Sequence, residues 1–274
     1  MCLALITSTL NCESDLQLTF RSLSKQIKDL EQWIIIDAGS SDGTLSLAER
    51  IASEFENVAV YTLTGSSIYE AWNFALESVT ADWVWFVGAG DEVENNVIGR
   101  IKTYLHKVPS GTDIAYGRLT YLNKTSRAEV EISEKLMTNE YKWGLPRIPP
   151  HPATFTRKPA ILREGKFNEQ FKIASDSELT IKILSASLPF YIDLKVDKMQ
   201  LGGKSSHPMN LPQVTSEVRK IRSRLKIKIP ATQQFSELLQ VCIISILFKV
   251  FDETYVLKLI DTYRSVLGKK KKWT

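Results

Sequence analysis

The chain has 274 residues, 43% of them apolar and 24% charged, enough for one large domain or one domain with a smaller appendage. These proportions exclude a disordered, collagen-like or coiled-coil chain. The net charge of +4 is unevenly distributed: residues 207–274 hold 13 Lys and Arg against 5 Asp and Glu, whereas residues 1–206 hold 22 against 26. The basic C-terminal quarter favours an anionic partner for that part of the chain.

Cysteine usage and the start of the chain bear on the compartment. Cys2, Cys12 and Cys242 form no CxxC pair and no Cys/His metal spacing, which indicates a reducing compartment and predicts that they serve as small core side chains. The start, MCLALIT, lacks a charged segment and its apolar run is short, so no signal peptide is predicted. We therefore expect a cytoplasmic protein.

The first part of the chain alternates short apolar runs with helical patterns. Strands are predicted over 2–7, 33–37, 58–63 and 83–87, with helices around Leu16 to Ile27 and over 44–55, 68–79 and 97–108. This order predicts an α/β fold with a mainly parallel sheet flanked by helices. Ligands bind beyond the carboxyl ends of the strands in such sheets. Polar clusters follow three of these strands: TSTLN (7–11), DAGSSDGT (37–44) and GAGDE (88–92).

The later part of the chain is less regular. Further strands are predicted within 113–123 and 128–132, a proline-rich loop over 144–152, and a helix over 175–187 with Ser175 as its N-cap. After LGGKSSHP (201–208) the pattern becomes basic, amphipathic helix. We place a domain boundary near residue 210, which gives a domain over 1–210 and a basic helical region over 211–274.

Asp37 and Asp91 are the first candidate site residues, because each follows a buried strand and meets a glycine-containing turn. Asp37 is placed to accept hydrogen bonds from a base or a ribose hydroxyl; the alternative is a turn in which Asp42 or Thr44 caps the next helix. Asp91 is placed to bind a hard cation on a diphosphate, which typically takes only one or two protein carboxylates. Glu92 is a weaker helper, and a loop carboxylate that caps a helix is the alternative.

Asp176 and Glu178 form the next candidate pair, at the predicted start of a helix. A carboxylate there is ordinarily a capping feature, but it can act as a general base if a substrate hydroxyl comes within reach. His151 and His207 are candidates for contact with an acceptor or a phosphate, although a lone loop histidine is more often neither. His106 is interpreted as structural.

Six segments taken in chain order resemble the inverting family-2 glycosyltransferases with a GT-A fold, over about residues 1–206. They are ITSTLN, WIIIDAGSSDGT, SIYEAWNFAL, WVWFVGAGDE, HPATFTRK and FKIASDSELTIKIL. The second segment is a close match to the family's strand-and-turn signature D-G-[ST]-[ST]-D-G-T, and the third is similar to its G-[IL]-Y-[DE]-A-x-N helix. The resemblance implies a Rossmann-like, mainly parallel sheet flanked by helices, with residues 211–274 as a C-terminal helical appendage.

The resemblance also implies roles for particular residues. Asp91 binds a divalent metal, Mn²⁺ or Mg²⁺, across the donor diphosphate, and Asp176 is the general base. The nucleotide-binding residues that it implies are Ser8, Thr9, Asp37, Asn73 and Gly90. The chain departs from the family pattern at two positions: Gly90 replaces the first carboxylate of the usual pair, and Ser175 replaces the glutamate expected before the base.

An apolar segment, ELLQVCIISILFKVF (237–251), lies in the basic quarter. It is too short to span a bilayer, which needs about 20 residues. It is interpreted as a packed core helix or as a helix that lies in a membrane surface. RKIRSRLKIK (219–228) before it and Lys269–Lys272 with Trp273 after it support the membrane surface nearly as well as the core helix. Nucleic-acid binding is not predicted, because aromatic and basic residues are not interleaved.

The expected function is that of a metal-dependent inverting glycosyltransferase. It would use a nucleotide sugar, with a UDP-sugar as the favoured donor, and extend a glycan or lipid-linked acceptor in cell-surface polysaccharide biosynthesis. A catalytically silent sugar-nucleotide-binding or scaffold protein, and a nucleotidyltransferase, are the alternatives. The chain has neither a GxGxxG nor a GxxxxGK[ST] motif, which counts against a dehydrogenase and a P-loop nucleotidase.

Overall fold

The computed structural model describes residues 1–123, 129–132, 135–136, 141–142, 145–203, 207–268, 271 and 273. Two compact units divide the chain. The first comprises Met1–Thr120, Ile132–Leu136 and Ile148–Met199, and the second comprises Tyr121–Glu131, Met137–Arg147 and Gln200–Thr274. The boundary near residue 210 stays a prediction. Most of the predicted lysine tail, and residues 204–206 of the glycine-rich segment before His207, lie outside the described residues.

The regular elements have the following bounds. The strands are β1 Leu3–Thr9, β2 Gln32–Asp37, β3 Val58–Thr62, β4 Trp83–Phe86, β5 Glu92–Val93, β6 Ile114–Leu122, β7 Glu129–Ile132, β8 Tyr141–Lys142, β9 Leu145–Pro146, β10 Thr154–Arg157 and β11 Phe190–Gln200. The α-helices are α1 Glu13–Leu23, α2 Thr44–Glu54, α3 Ile68–Ser78, α4 Ile98–Leu105, α5 Lys158–Arg163, α6 Ser175–Leu184, α7 Leu211–Arg224, α8 Ala231–Val250 and α9 Glu253–Val266. Short 3₁₀ turns occupy Ile27–Asp29, His151–Ala153 and Pro208–Asn210.

The main sheet is mixed, with strand order β3-β2-β1-β4-β10-β6-β11-β5 and with β7 paired to β6. Strands β1 to β4 pair in parallel, which confirms the α/β arrangement predicted for the first part of the chain. Strand β10 runs antiparallel to β4 and β6, and β11 runs antiparallel to β5. The parallel half therefore brings the ends of β1, β2 and β4 to one edge, as the polar clusters require.

The core of the first unit is built on the parallel strands. All four residues of β4 are buried, as are the last five of β2, because a parallel sheet with covered faces buries both sides of each strand. Trp33, Trp83 and Trp85 are among the largest fully buried side chains. Helix α3 packs on β1 and β2 and begins with a capping box between Ser67 and Glu70, which fixes where the helix starts.

Two sequence-based expectations about local packing are wrong. Ser175 is not the N-cap of α6: Ala174 holds that position, and the buried Ser175 hydroxyl accepts a hydrogen bond from the Asn168 backbone N–H. Ser175 is already the first residue of the helix, so it lies one position too late to be the N-cap. The cysteines are not core side chains either, since Cys2 and Cys12 are half-buried and Cys242 is exposed.

Helix α8 is not a packed core helix. It extends further than the apolar run, over 20 residues, and Glu237 is its one buried residue. By length and composition it could cross a membrane. The large apolar side chains that it exposes are Phe235, Leu238, Leu239, Ile243, Ile246 and Val250.

Candidate functional site

The Asp37 carboxylate organises the turn after β2. It is fully buried and accepts hydrogen bonds from the backbone N–H groups of Gly39 (3.0 Å) and Ser40 (2.7 Å). The hydroxyls of Thr9 (3.0 Å) and Ser40 (2.6 Å) donate to its second oxygen. Four donors therefore occupy this carboxylate, and its contact with a base or a ribose stays a prediction. Ser8, the residue before Thr9 on β1, is half-buried.

The turn after β2 is tied to the loop after β1. The Asn11 backbone N–H donates to the Ser40 hydroxyl (2.9 Å), and the Ser41 N–H donates to the Asn11 side chain (2.8 Å). Asp42 accepts from the Thr44 backbone N–H (3.0 Å), but the N-cap of α2 is Gly43, without a side-chain cap, so the cap by Asp42 or Thr44 considered as the alternative is not formed. The Thr44 hydroxyl also donates to Asp42 and lowers the pKa of that carboxyl. Two of the predicted polar clusters therefore form one structured edge.

Local contacts and backbone conformation explain why the segment after β4 has glycine at positions 88 and 90. The Gly88 backbone N–H donates to Asp91 Oδ2 (3.1 Å), and a Cβ on Gly88 would lie 3.1 Å from the same oxygen. Gly90 has φ +96°, a conformation that favours glycine, and its N–H donates to the Thr19 hydroxyl (2.9 Å). Thr19 in turn donates to the Asp91 carbonyl oxygen (2.9 Å). Asp91 is thus held at the end of β4 with its side chain 7% exposed.

A second carboxylate, Asp197 on β11, lies beside Asp91. The β11–β5 ladder sets Asp197 opposite Val93, two residues after Asp91. Asp197 is fully buried, and neither carboxylate oxygen has a hydrogen-bond partner. Burial first, and then the charge of Asp91, raises the pKa of Asp197 well above its ordinary value. The Lys198 backbone N–H lowers that pKa but does not reach hydrogen-bond geometry.

Asp91 and Asp197 are too few to hold a metal ion unless a bound molecule supplies further coordinating oxygens. Among the described residues, no group of three His, Cys, Asp or Glu side chains is arranged for a metal ion. A cation shared with a diphosphate needs only one or two protein carboxylates. Asp91, with the unpartnered oxygens of Asp197 near it, therefore fits a divalent cation that arrives with its phosphate ligands.

Asp176 is held at the start of α6 by a tyrosine. The Tyr69 hydroxyl donates to Asp176 Oδ1 (3.3 Å) and accepts from the Ser175 backbone N–H (3.1 Å). Burial first, and then the negative charge of Asp176, raises the pKa of Tyr69 far above its ordinary value. Tyr69 therefore stays protonated and keeps donating, while Asp176 itself is half-buried.

An aromatic cluster connects α3 with β4. His151 stacks on Trp72 (5.1 Å between ring centroids) and on Phe86 (5.4 Å), the last residue of β4. Phe167 packs edge-on against Phe86 (5.1 Å). Burial lowers the pKa of His151, against the opposing effect of Asp176, and the imidazole is neutral. Its Nε2 is buried without a hydrogen-bond partner.

Asn73, on α3, holds the loop before α6. Its side-chain nitrogen donates to the Phe167 carbonyl oxygen (2.9 Å) and to Glu169 (2.8 Å), and its oxygen accepts from the Phe167 N–H (3.0 Å). Asn73 also lines an open cavity of about 490 Å³ with residues that include Gly65 and Lys166. No other predicted nucleotide-binding residue lines this cavity.

Two of the weaker candidates are engaged elsewhere. Glu178 is 1% exposed and accepts from Asn168 (3.3 Å) on the inner side of α6. His207 lies in the second unit. Its Nε2 contacts Glu253 (3.0 Å), and its Nδ1 accepts a hydrogen bond from the Met209 N–H (3.2 Å). Contact of either residue, or of His151, with an acceptor or a phosphate stays a prediction.

Sequence reasoning did not single out Tyr69, Thr19 or Asp197. Tyr69 stands in the SIYEAWN segment. Asp197 gave no local signal, because the alternation of FYIDLKVDKMQ sets it on the same face as the exposed Asp193 and Lys195. The contacts that give these residues a role join distant parts of the chain, so that local patterns did not reveal them.

Comparison with known proteins identifies the family. Residues 4–161 match the model of Glycosyl transferase family 2. A "PGL/p-HBAD biosynthesis glycosyltransferase" of Mycobacterium bovis is 22% identical over 193 residues, which cover 66% of this chain and 69% of the relative.

Solved structures share the fold at low identity. TarS of S. aureus matches 93% of this chain with a TM-score of 0.61 and 18% identity, and the match spans 45% of that TarS chain. The mannosyltransferase PcManGT from Pyrobaculum calidifontis, in complex with GDP-Man and Mn²⁺, matches 98% of this chain and 81% of its own, with a TM-score of 0.61 and 12% identity. The family model covers more than half of the chain and the structural matches share its sheet, so the chain belongs to glycosyl transferase family 2 and has the GT-A fold.

Proposed function

We propose that the chain transfers a sugar from a UDP-sugar to an acceptor hydroxyl with inversion at the anomeric carbon. One observation carries the proposal. Asp176, the half-buried carboxylate at the start of α6, receives a hydrogen bond from a tyrosine that stays protonated. A carboxylate held in this way beside the donor edge of a GT-A sheet suits a general base.

The reaction is a single displacement. The acceptor oxygen bonds to the anomeric carbon as the bond from that carbon to the diphosphate oxygen breaks, and the electron pair leaves with UDP. The acceptor proton passes to Asp176, whose contribution as a base is about 100- to 10,000-fold. Tyr69 fixes the direction of the carboxylate. Because the attack comes from the face opposite the leaving group, the configuration inverts.

Asp91 would hold a divalent cation, Mn²⁺ or Mg²⁺, at the end of β4. When bound, such a cation stabilises the charge that grows on the departing diphosphate. The Gly88 N–H keeps the Asp91 carboxylate in place, and the glycine leaves room for it. The turn that Asp37 organises, with Ser8 and Thr9 on β1, would receive the nucleoside at the same edge, and Asn73 holds the loop that leads to Asp176.

The comparisons support the donor class and a biosynthetic role. TarS 1–349 has been solved in complex with UDP and with UDP-GlcNAc, and the M. bovis relative is named a biosynthesis glycosyltransferase. We therefore propose UDP as the nucleotide and a glycan or lipid-linked saccharide of the cell surface as the acceptor.

The C-terminal region supports a cytoplasmic enzyme that is peripheral to the inner membrane face. Helix α8 exposes an apolar surface, and residues 207–274 hold 13 Lys and Arg against 5 Asp and Glu. Apolar and cationic groups together favour anionic lipid. A lipid-linked acceptor would lie at the same surface.

Vesicle flotation tests this contact. We expect wild type to float with anionic vesicles and not with neutral ones, and an Ile243→Glu/Ile246→Glu variant to stay in solution. Leu188→Glu, which changes an exposed leucine of the first unit, is the matched control and should float. Equal flotation of all three proteins would refute the membrane contact.

Calorimetric titration with UDP, with and without Mn²⁺, tests the enzymatic proposal. We expect wild type to bind UDP tightly only when Mn²⁺ is present. Asp91→Asn should bind UDP weakly whether or not Mn²⁺ is present. Asp82→Asn, an exposed carboxylate just before β4, is the control and should behave as wild type. Absence of UDP binding would refute the proposal, and binding without turnover of any UDP-sugar would support a catalytically silent binder.

A further inference from the structure

Asp197 is a buried acid that the fold alone does not explain. Both of its oxygens are buried without a hydrogen-bond partner, whereas buried polar groups in native proteins are almost always paired. An uncompensated carboxylate in the interior costs several kcal/mol unless it is protonated or receives a cation. The charged groups that raise its pKa are also negative: Asp91, Glu94 and Glu92.

Asp197 lies near the segment after β4, which has one carboxylate fewer than the family pattern. The family pattern has two carboxylates after β4, and this chain has Gly90 at the first of them. A carboxylate side chain there would be strained, because Gly90 adopts φ +96°. In the β11–β5 ladder, Asp197 faces Val93 and lies diagonal to Asp91, at a spacing of roughly 7 to 8 Å between Cα atoms.

We propose that Asp197 is the second carboxylate of the cation site and replaces the side chain that Gly90 lacks. The inference rests on the proposed function, since the cation arrives with the donor diphosphate. Asp91, the more exposed of the two, is the outer ligand and Asp197 the inner one. The cation would balance the two buried charges and supply the partner that the Asp197 oxygens otherwise lack.

A purely structural role for Asp197 makes a different prediction. A buried acid that packs as a neutral group can be replaced by asparagine with no effect on cation binding. A ligand cannot be replaced in this way, because the amide carries no charge. Asp197→Asn keeps the size of the side chain, so it separates the two roles.

The experiment measures Mn²⁺ binding by electron paramagnetic resonance in the presence of UDP, and thermal unfolding with and without Mn²⁺. We expect Asp197→Asn to bind Mn²⁺ at least about 10- to 100-fold more weakly than wild type. Its melting temperature without metal should equal or exceed that of wild type, because a neutral group of the same size replaces a buried acid that has no hydrogen-bond partner. Mn²⁺ with UDP should raise the melting temperature of wild type more than that of the variant.

Two further variants keep the result interpretable. Asp193→Asn changes an exposed carboxylate of the same strand and should bind Mn²⁺ as wild type does. Asp197→Ser repeats the test with a smaller side chain, in case the amide disturbs folding. Wild-type Mn²⁺ affinity in a folded Asp197 variant would overturn this proposal and leave the proposed function standing. If the wild-type protein bound no Mn²⁺ in the presence of UDP, both the Asp197 proposal and the cation dependence of the proposed function would be overturned.

Discussion

Replacement of Asp176 by asparagine separates catalysis from stability. The change removes the negative charge and the ability to take a proton, but it keeps an oxygen that can accept from Tyr69. That hydrogen bond, at 3.3 Å, is longer than the usual range of about 2.5 to 3.0 Å for O–H···O. A bond of this kind contributes about 0.5 to 1.5 kcal/mol, and the variant retains most of it. We therefore expect the free energy of unfolding to change by less than about 1 kcal/mol.

The effect on turnover should be much larger. Loss of a general base lowers kcat by about 100- to 10,000-fold, which corresponds to about 3 to 5 kcal/mol in activation free energy. Affinity for UDP should not change, because Asp176 acts on the acceptor. The kinetic loss therefore exceeds the loss of stability by a clear margin, which a structural role for Asp176 would not produce.

The assay measures UDP release from a panel of UDP-sugars with soluble and lipid-linked acceptors, beside chemical denaturation and UDP titration. Glu164→Gln is the matched control, a partly exposed carboxylate of the same unit that also accepts from one side chain, Arg163 (3.1 Å). It should keep wild-type kcat. If Asp176→Asn retained more than about a tenth of the wild-type rate, its role as the base would be refuted.

Three other predictions follow from the packing of the molecule. Because burial lowers the pKa of His151 below its ordinary value of 6.5, the unfolded chain binds the proton more readily. Stability that is present above about pH 6.5 is then lost as the pH falls through the folded-state pKa. His151→Phe should show a smaller loss between pH 6.5 and 5 in urea titrations; an unchanged slope would contradict this. Arg222 and Glu237 form a buried two-bond ion pair (3.1 and 2.9 Å). Arg222→Met alone should cost about 3 to 5 kcal/mol, and Arg222→Met/Glu237→Leu should recover most of it in thermal unfolding, unless the pair is stabilising in itself. Gly88→Ala places a Cβ 3.1 Å from the Asp91 carboxylate, so calorimetry should show weaker Mn²⁺-dependent UDP binding with little change in melting temperature; wild-type affinity would contradict this reasoning.

The predictable part of the fold is the part with local periodicity. Runs such as WIIID and WVWF are apolar throughout, and only a strand with both faces covered tolerates this. Together with the short helices between them, they predicted the parallel half of the sheet and the edge at which Asp37 and Asp91 lie. The antiparallel half and the exposed surface of α8 were harder to foresee, because strand pairing and burial depend on distant segments.

The sequence by itself determined the family, the parallel strands and the polar turns at their ends, because each of these is encoded within a few consecutive residues. Tertiary structure decided what surrounds them. Tyr69 reaches Asp176 across 107 positions, and Asp197 comes beside Asp91 only through the register of β11 on β5. A strand's own pattern shows which face a side chain occupies but not which strand will lie next to it. The neighbours of Asp176 and Asp91 therefore followed from the packing of distant elements, and this packing left Asp197 buried without a hydrogen-bond partner.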